Sequence, residues 1–247
     1  MRYAAALILG LITGSFLNVC IYRIPKGQSV VFQPSKCPDC GSRIRFRHMV
    51  PVISYLLMRG RCTHCKSRVS AVYPFAELLT GVLYLLLLYR FGFGLDFIKY
   101  SFLLSLLIVT GFIDYEYHII PDRLVMAGVS TGTVFMLING EHSPMFYITG
   151  VILGSGILLA VNLLSGGGMG IGDIKLMAVI GLFLGWQNTL TVLFLSFVTG
   201  GIAGALLLFT GKKGMKDAVP FGPFLGGAAA AAVFLGQQMI SLYLRLI

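Results

Sequence analysis

Residues 157–183 read ILLAVNLLSGGGMGIGDIKLMAVIGLF, an apolar run that is interrupted by glycines and resumes after an aspartate. Only Asp173 and Lys175 are charged in this stretch. Runs of this hydrophobicity are typical of membrane-spanning segments. Glycine permits backbone conformations that end a helix. The stretch therefore predicts two apolar helices joined by a break that carries Asp173.

The rest of the chain shares this composition. Of its 247 residues, 57% are hydrophobic and only 11% are charged, whereas soluble domains average about 25% charged residues. Lipid offers the backbone no hydrogen-bond partners, so the spanning segments are expected to be helices. We therefore predict an all-α polytopic membrane protein with about eight transmembrane helices. The apolar segments lie at about 3–22, 72–91, 97–115, 123–139, 146–165, 173–186, 189–210 and 219–244.

The only long polar stretch, residues 23–71, carries nearly all of the excess positive charge. It holds ten Lys or Arg residues against one acid, Asp39, which gives +9 of the chain's net charge of +10. Positive charge is typical of cytoplasmic loops in membrane proteins, so the loop is predicted inside and both termini outside. Membrane topology thus explains the basic composition without a nucleic-acid partner.

These features divide the chain into three parts. Residues 1–22 are predicted to form the first transmembrane helix, which is retained because no small-residue cleavage site follows it. Residues 23–71 form a basic four-cysteine loop in the cytoplasm. Residues 72–247 form a seven-helix transmembrane bundle that contains the candidate catalytic residues, Asp114 and Asp173.

Four of the five cysteines lie in the loop as two pairs. Cys37-Pro-Asp-Cys40 and Cys62-Thr-His-Cys65 are separated by twenty-one residues, a spacing that resembles a zinc ribbon. Four thiolates bind zinc tetrahedrally and leave no open position for water, so the predicted zinc is structural. The alternative is that these cysteines are unmetallated or redox-active.

The remaining candidates for metal ligation have simpler interpretations. His48 and His64 lie near the cysteines but are surplus to a four-cysteine site, and we interpret them as solvated. Cys20 stands alone in the first apolar segment and is interpreted as a small buried residue.

Two aspartates are the candidate catalytic pair. Asp114 ends the third apolar segment and Asp173 begins the sixth, both at the predicted cytoplasmic edge. An ionisable residue at membrane depth is costly, which indicates a function. Two neighbouring carboxylates share a proton, so one can activate water while the other polarises a peptide carbonyl. Because such a pair titrates as a unit, neither aspartate is assigned its own role.

The alternative is that Asp173 only caps a helix and that Asp114 is solvated at the interface. Asp122, after Pro121, is interpreted as the N-cap of the fourth helix, and Glu116 as an interfacial residue. The sequence does not contain the H-E-x-x-H motif of metalloproteases.

Neighbouring residues extend the candidate site. Gly170 and Gly172 would let the backbone approach a bound peptide closely, as in strand addition. Glu77, about one turn inside the second segment, and Lys175 are candidate accessory residues. For Glu77 the alternative is an ion pair with a basic residue of the loop.

A series of motifs runs along nearly the whole chain. It comprises Gly14-Ser15-Phe16-Leu17-Asn18, Tyr22-Arg23-Ile24-Pro25, Cys37-Pro38-x-Cys40-Gly41, Arg59-Gly60-Arg61-Cys62, Asp114 with Ile120-Pro121-Asp122, Gly170-x-Gly172-Asp173-x-Lys175, and Pro220-Phe221-Gly222-Pro223-Phe224. In order and spacing these motifs resemble the bacterial type IV prepilin peptidase family (the prepilin leader peptidase/N-methyltransferases), which are GxGD-type intramembrane aspartyl proteases.

The resemblance implies an activity and its partners. The substrates would be prepilins and pseudopilins of pili, secretion or competence systems, cleaved at the cytoplasmic face of the bacterial plasma (inner) membrane after a glycine that ends a basic leader. Many members then N-methylate the new terminus with S-adenosylmethionine. The family's catalytic aspartates map onto Asp114 and Asp173. Its cysteine tetrad maps onto the four loop cysteines, and no residue is mapped for the methyl donor.

Two alternatives from other functional classes are open. Paired acids and broken helices also suit an ion or proton transporter, although both acids are predicted near one face. The cysteine loop could instead be a docking module anchored by the helices, which would leave the paired acids unexplained. The loop itself is expected to face anionic lipid headgroups or the carboxylate of the methyl donor.

Overall fold

A computed structural model describes residues 1–32, 35–37, 39–44, 49–138, 142–211 and 219–246, and these residues are predominantly helical. The described part of the chain has two isolated β-bridges, Lys36–Arg43 and Arg61–Arg68, and no β-strand. It divides into two compact units, Met1–Ser101 and Phe102–Ile247. The helices are α1 (Arg2–Arg23), α2 (Ile53–Leu57), α3 (Val72–Phe91), α4 (Leu95–Tyr117), α5 (Asp122–Ile138), α6 (Pro144–Leu164), α7 (Ile171–Phe209) and α8 (Gly222–Leu246).

The predicted all-α polytopic fold class is confirmed. Six of the described helices are long and apolar enough to cross a membrane. Helix α5 has 17 residues and is only slightly shorter than these six. The predicted sixth and seventh segments both lie within α7, which has 39 residues. The five-residue helix α2 in the four-cysteine loop was not predicted.

The long helix α7 reverses direction at Gly185. The φ of 73° and ψ of 173° at this residue are not helical. Met177 and Thr189 lie on opposite sides of the break, yet both contact the position of a Cβ on Gly154, at 3.2 and 2.8 Å. A straight helix would place residues twelve positions apart about 18 Å from each other along its axis. The chain therefore folds back, and α7 consists of two helices.

We call these halves α7a (residues 171–184) and α7b (residues 186–209). Both pack against α6 through Gly150, since the Cβ position of Gly150 lies 2.8 Å from the carbonyl oxygen of Gly181 and 3.0 Å from the backbone nitrogen of Trp186. Gly150 contacts Gly181 of α7a and Trp186 of α7b, whereas Gly154, one turn further along α6, contacts Met177 and Thr189. The contact therefore moves backward along α7a and forward along α7b. Thus α7a is antiparallel to α6 and α7b is parallel to it, which gives the two segments that the sequence predicts here.

The packing of the other helices in the second unit brings four helix ends together. α5 runs parallel to α7a, because Gly128 contacts Val179 and Ile120 contacts Gly172. α8 runs antiparallel to the second-unit part of α4, because the Cβ position of Gly111 lies 3.6 Å from Cα of Pro223 and that of Gly226 lies near Leu107. The end of α4 and the starts of α5, α7a and α8 therefore lie at the same end of this unit.

The first unit is built on a close antiparallel pair, α1 and α3. The Cβ positions of Gly10 and Gly14 lie 2.8 and 2.7 Å from the Cα atoms of Gly81 and Glu77, so the backbones are in contact. Small residues permit such approach between membrane helices. The sequence-based division of the chain at residues 22 and 71 remains a prediction.

Candidate functional site

Asp114 lies near the end of α4 and is 7% exposed. Its Oδ2 atom accepts a hydrogen bond from the backbone N–H of Gly222, at 2.8 Å. Gly222 is the first residue of α8, and the first N–H groups of a helix have no partner within the helix. The start of α8 thus supplies a fixed donor that orients the Asp114 carboxylate.

Asp173 lies in the first turn of α7a and is 8% exposed. The backbone of Gly170 lies beside its carboxylate, and Asp114 is the neighbouring charge that acts on it. The Oδ1 atom of Asp173 is buried without a hydrogen-bond partner among the described residues. A buried oxygen of this kind is a ready partner for water or for a peptide group. The two predicted catalytic residues are therefore neighbours at one end of the second unit.

The glycines before Asp173 make room for the site. A Cβ at Gly170 would lie 2.9 Å from Oδ2 of Asp173, and a Cβ at Gly172 would lie 2.9 Å from Cβ of Ile120. Gly170 therefore leaves space for the carboxylate itself, and Gly172 lets α7a approach the segment before α5. Their predicted contact with a substrate backbone remains a prediction.

Lys175 pairs with Asp122 at 2.7 Å. The side chains are 45% and 70% exposed, so the pair contributes about 0–1 kcal/mol. Asp122 is the first residue of α5 rather than the residue before it, a difference within the usual uncertainty of helix boundaries. The pair connects the start of α5 to the start of α7a, next to the two buried aspartates.

Glu77 lies in the first unit. Its Oε2 atom accepts a hydrogen bond from the backbone N–H of Val52 at 2.7 Å, and the polar side chains of Ser15 and Asn18 lie near it. The sequence suggested an ion pair with the loop, and the partner is indeed in the loop, although it is a backbone donor. Its role as an accessory residue remains a prediction.

The four loop cysteines converge as the zinc prediction requires. The sulfurs of Cys37, Cys40, Cys62 and Cys65 all lie within 4.8 Å of one another, and those of Cys37 and Cys65 are 3.9 Å apart. Tetrahedral zinc with bonds of about 2.3 Å would place its sulfurs about 3.8 Å apart. The donor set and its spacing therefore fit a zinc ion.

Each cysteine pair is held by the same backbone pattern. The N–H of Cys37 donates to the carbonyl of Ser42, and the N–H of Cys62 donates to that of Ser67, both at 2.9 Å. Backbone N–H groups of Cys40 and Asp39 lower the pKa of the Cys37 thiol. Those of Cys65 and His64 similarly lower the pKa of Cys62. Zinc binds the thiolate, so the loop backbone favours the ligand form of both cysteines.

Gly222 is the site residue that sequence analysis missed. The motif Pro220-Phe221-Gly222-Pro223-Phe224 contributed to the family resemblance, but no chemical role could be derived from it. The signal is physical: a Cβ at Gly222 would lie 2.8 Å from Oδ2 and 3.1 Å from Cβ of Asp114. Moving the carboxylate alone would not relieve this contact, because Cβ is fixed to the backbone of α4.

We expect Gly222→Ala to lower the kcat of the peptide cleavage that the family resemblance implies by about 10²-fold, because a misplacement near 1 Å costs that much. Gly227→Ala is the matched control, since Gly227 is in the same helix and its Cβ position has nothing within 4 Å. It should cleave at the rate of the unaltered protein. Equal rates for the two variants would contradict the role of Gly222.

The chain matches two protein families over consecutive segments. Residues 8–91 match the bacterial peptidase A24 N-terminal domain, and residues 101–205 match the type IV leader peptidase family. No solved structure matches the chain significantly.

Three curated relatives match this chain over more than nine-tenths of their own length. A prepilin leader peptidase/N-methyltransferase of Bacillus subtilis (strain 168) is 32% identical, over 97% of this chain and 96% of the relative. One of Pseudomonas putida is 34% identical, over 98% of this chain and 93% of the relative. One of Pseudomonas aeruginosa is 31% identical, over 97% of this chain and 92% of the relative.

Proposed function

The chain belongs to the type IV leader peptidase family, and we propose that it removes the leader peptides of type IV prepilins and pseudopilins and N-methylates the new amino terminus. It is a multi-pass protein of the bacterial inner membrane, with six described helices able to cross. The observation that carries the peptidase activity is the pair of buried carboxylates, Asp114 and Asp173, at one end of the second unit. We further propose that this end and the four-cysteine loop face the cytoplasm, as the loop charge predicts.

The chemistry of cleavage follows from two neighbouring carboxyl groups that share one proton. The ionised carboxylate takes a proton from water, whose oxygen attacks the carbonyl carbon of the scissile bond. The protonated carboxyl donates a hydrogen bond to the carbonyl oxygen as negative charge develops there. A proton then passes to the nitrogen of the leaving amine, and the C–N bond breaks without a covalent enzyme intermediate.

The surroundings of the two aspartates support this role. Oδ2 of Asp114 is held by Gly222, whereas Oδ1 of Asp173 is left without a partner among the described residues. One carboxyl is thereby fixed in orientation and the other has an oxygen free to meet substrate. Ion transport, the alternative use of such acids, is not favoured, because both lie at the ends of their helices rather than at the middle.

Zinc and S-adenosylmethionine are the proposed cofactors. Cys37, Cys40, Cys62 and Cys65 would hold zinc, which with four sulfur ligands would stabilise the loop and take no part in the reaction. S-adenosylmethionine would supply the methyl group. Glu77, the acidic candidate in the first unit, already accepts a hydrogen bond from the backbone N–H of Val52, and we assign no residue to the methyl donor.

Mass spectrometry of a prepilin incubated with the protein in liposomes tests the proposal. Without S-adenosylmethionine we expect the mature pilin, shortened at a glycine that ends the leader. With it we expect the same product heavier by one methyl group at its amino terminus. An intact prepilin in both reactions, from protein that retains its zinc and its fold, would contradict the peptidase assignment.

A further inference from the structure

The short helix α2 presents its apolar side chains outward and a polar one inward. Ile53, Leu56 and Leu57 are 56%, 67% and 80% exposed, whereas Ser54 is 6% exposed. Positions i, i+3 and i+4 share one helix face, so the three aliphatic side chains form a single apolar stripe. A helix facing water has the opposite arrangement. The stripe therefore indicates an apolar medium outside the protein at this point.

The attachment of α2 to α3 sets its depth. The backbone N–H of Val52, at the start of α2, donates to Glu77, and helical side chains lean toward the N-terminus of their helix. α2 thus begins beside the first turns of α3. The 20 residues of α3 span about 30 Å, the thickness of the hydrocarbon core, so its first turns lie at the edge of that core.

Exposed apolar residues of the same unit lie at this level. Phe75 and Leu78 of α3 are 57% and 47% exposed, and Phe16 of α1 is 50% exposed. Phe16 lies two residues before Asn18, whose side-chain amide donates to the carbonyl of Tyr73. The stripe on α2 is therefore continuous in depth with the membrane surface of α1 and α3. Exposed Arg59 and Arg61 follow α2 directly, at the level where anionic headgroups would lie.

We propose that α2 is an interfacial anchor, in which Ile53, Leu56 and Leu57 insert into the leaflet on the side of the four-cysteine loop and Arg59 and Arg61 bind anionic phospholipid headgroups. Apolar insertion combined with basic residues at the headgroups is the usual mode of interfacial helices. The anchor would hold the zinc-binding part of the loop against the bilayer. It does not depend on the proposed enzymatic function.

Tryptophan fluorescence in liposomes that contain phosphatidylglycerol and brominated phosphatidylcholine tests the anchor. The chain has one tryptophan, Trp186, so Trp186→Phe provides the background for Leu57→Trp. We expect blue-shifted emission, strong quenching by lipids brominated near the headgroup, weaker quenching by lipids brominated deep in the chain, and little quenching by soluble acrylamide. Leu56→Trp serves as a second probe if Leu57→Trp loses its zinc or its fold.

Two controls bracket the measurement. Val82→Trp, at a 46% exposed position in the middle of α3, should be quenched most by deep bromines. Gln28→Trp, at an exposed position in the turn after α1 and away from the cysteines, should be quenched by acrylamide. If Leu57→Trp behaves like Gln28→Trp, water covers the stripe and the proposal fails. Blue-shifted emission that no brominated lipid quenches would place protein on the stripe and would also overturn it.

Discussion

Asp173→Asn is expected to abolish prepilin cleavage, with kcat falling by at least about 10³-fold, and Asp114→Asn is expected to do the same. General acid–base groups contribute about 10²–10⁴-fold each, and water activation by the pair requires both carboxyl groups. The amide of asparagine has the shape of the carboxyl but cannot exchange the proton. Product formation should be followed with prepilin in liposomes, with turnover measured at saturating substrate.

The folded state of these variants can be checked independently. At position 114 an amide oxygen can still accept the bond from Gly222, so size-exclusion behaviour and zinc content should be unchanged. Asp96→Asn is the matched control, because Asp96 lies in the first turn of the same helix as Asp114, and it should cleave normally. Cleavage at the normal rate by either Asp114→Asn or Asp173→Asn would exclude the catalytic pair.

Removal of zinc is expected to unfold the four-cysteine loop. Structural zinc sites contribute about 10–16 kcal/mol of apparent binding free energy to folding, far more than a few short hydrogen bonds could replace. The double variant Cys37→Ser/Cys62→Ser, or treatment with a strong chelator, should lose one zinc per chain. Trypsin should then cleave rapidly at the many Lys and Arg residues of the loop while the apolar helices resist.

Cys20→Ala provides the control for this measurement. Cys20 is buried in α1 and 7% exposed, outside the cysteine cluster, so this variant should retain its zinc and its resistance to trypsin. Native protein that contains no zinc, or a double variant that still binds one ion per chain, would refute the metal site.

Hydropathy was sufficient to predict the helices because a bilayer imposes nearly the same length and polarity on every spanning segment. The reversal at Gly185 shows this well. The sequence predicted two segments here, at 173–186 and 189–210, and the chain folds back at the boundary between them. Helix α2 escaped prediction because five residues are too few to establish a periodicity.

Contacts between distant residues could not be derived from the sequence. Asp114 and Asp173 stood out because acids are rare in apolar segments, and that signal is local. The donor to Asp114 lies 108 residues away and is a backbone N–H, which any residue except proline possesses. The partner of Glu77 at Val52 is also a backbone N–H. Composition carries no information about such partners, so only the folded chain reveals them.

The reversal at Gly185 has a consequence for where the chain ends. If α7 were one span, α5 and the six long apolar helices would make seven crossings, an odd number, and the two termini would lie in different compartments. With α7a and α7b as separate crossings the number is even. Reporter domains fused to the first and the last residue should therefore respond alike. With the four-cysteine loop in the cytoplasm, as its charge predicts, both ends lie outside. Alkaline phosphatase should then be active at either end, and green fluorescent protein should be non-fluorescent at either end because it is exported unfolded.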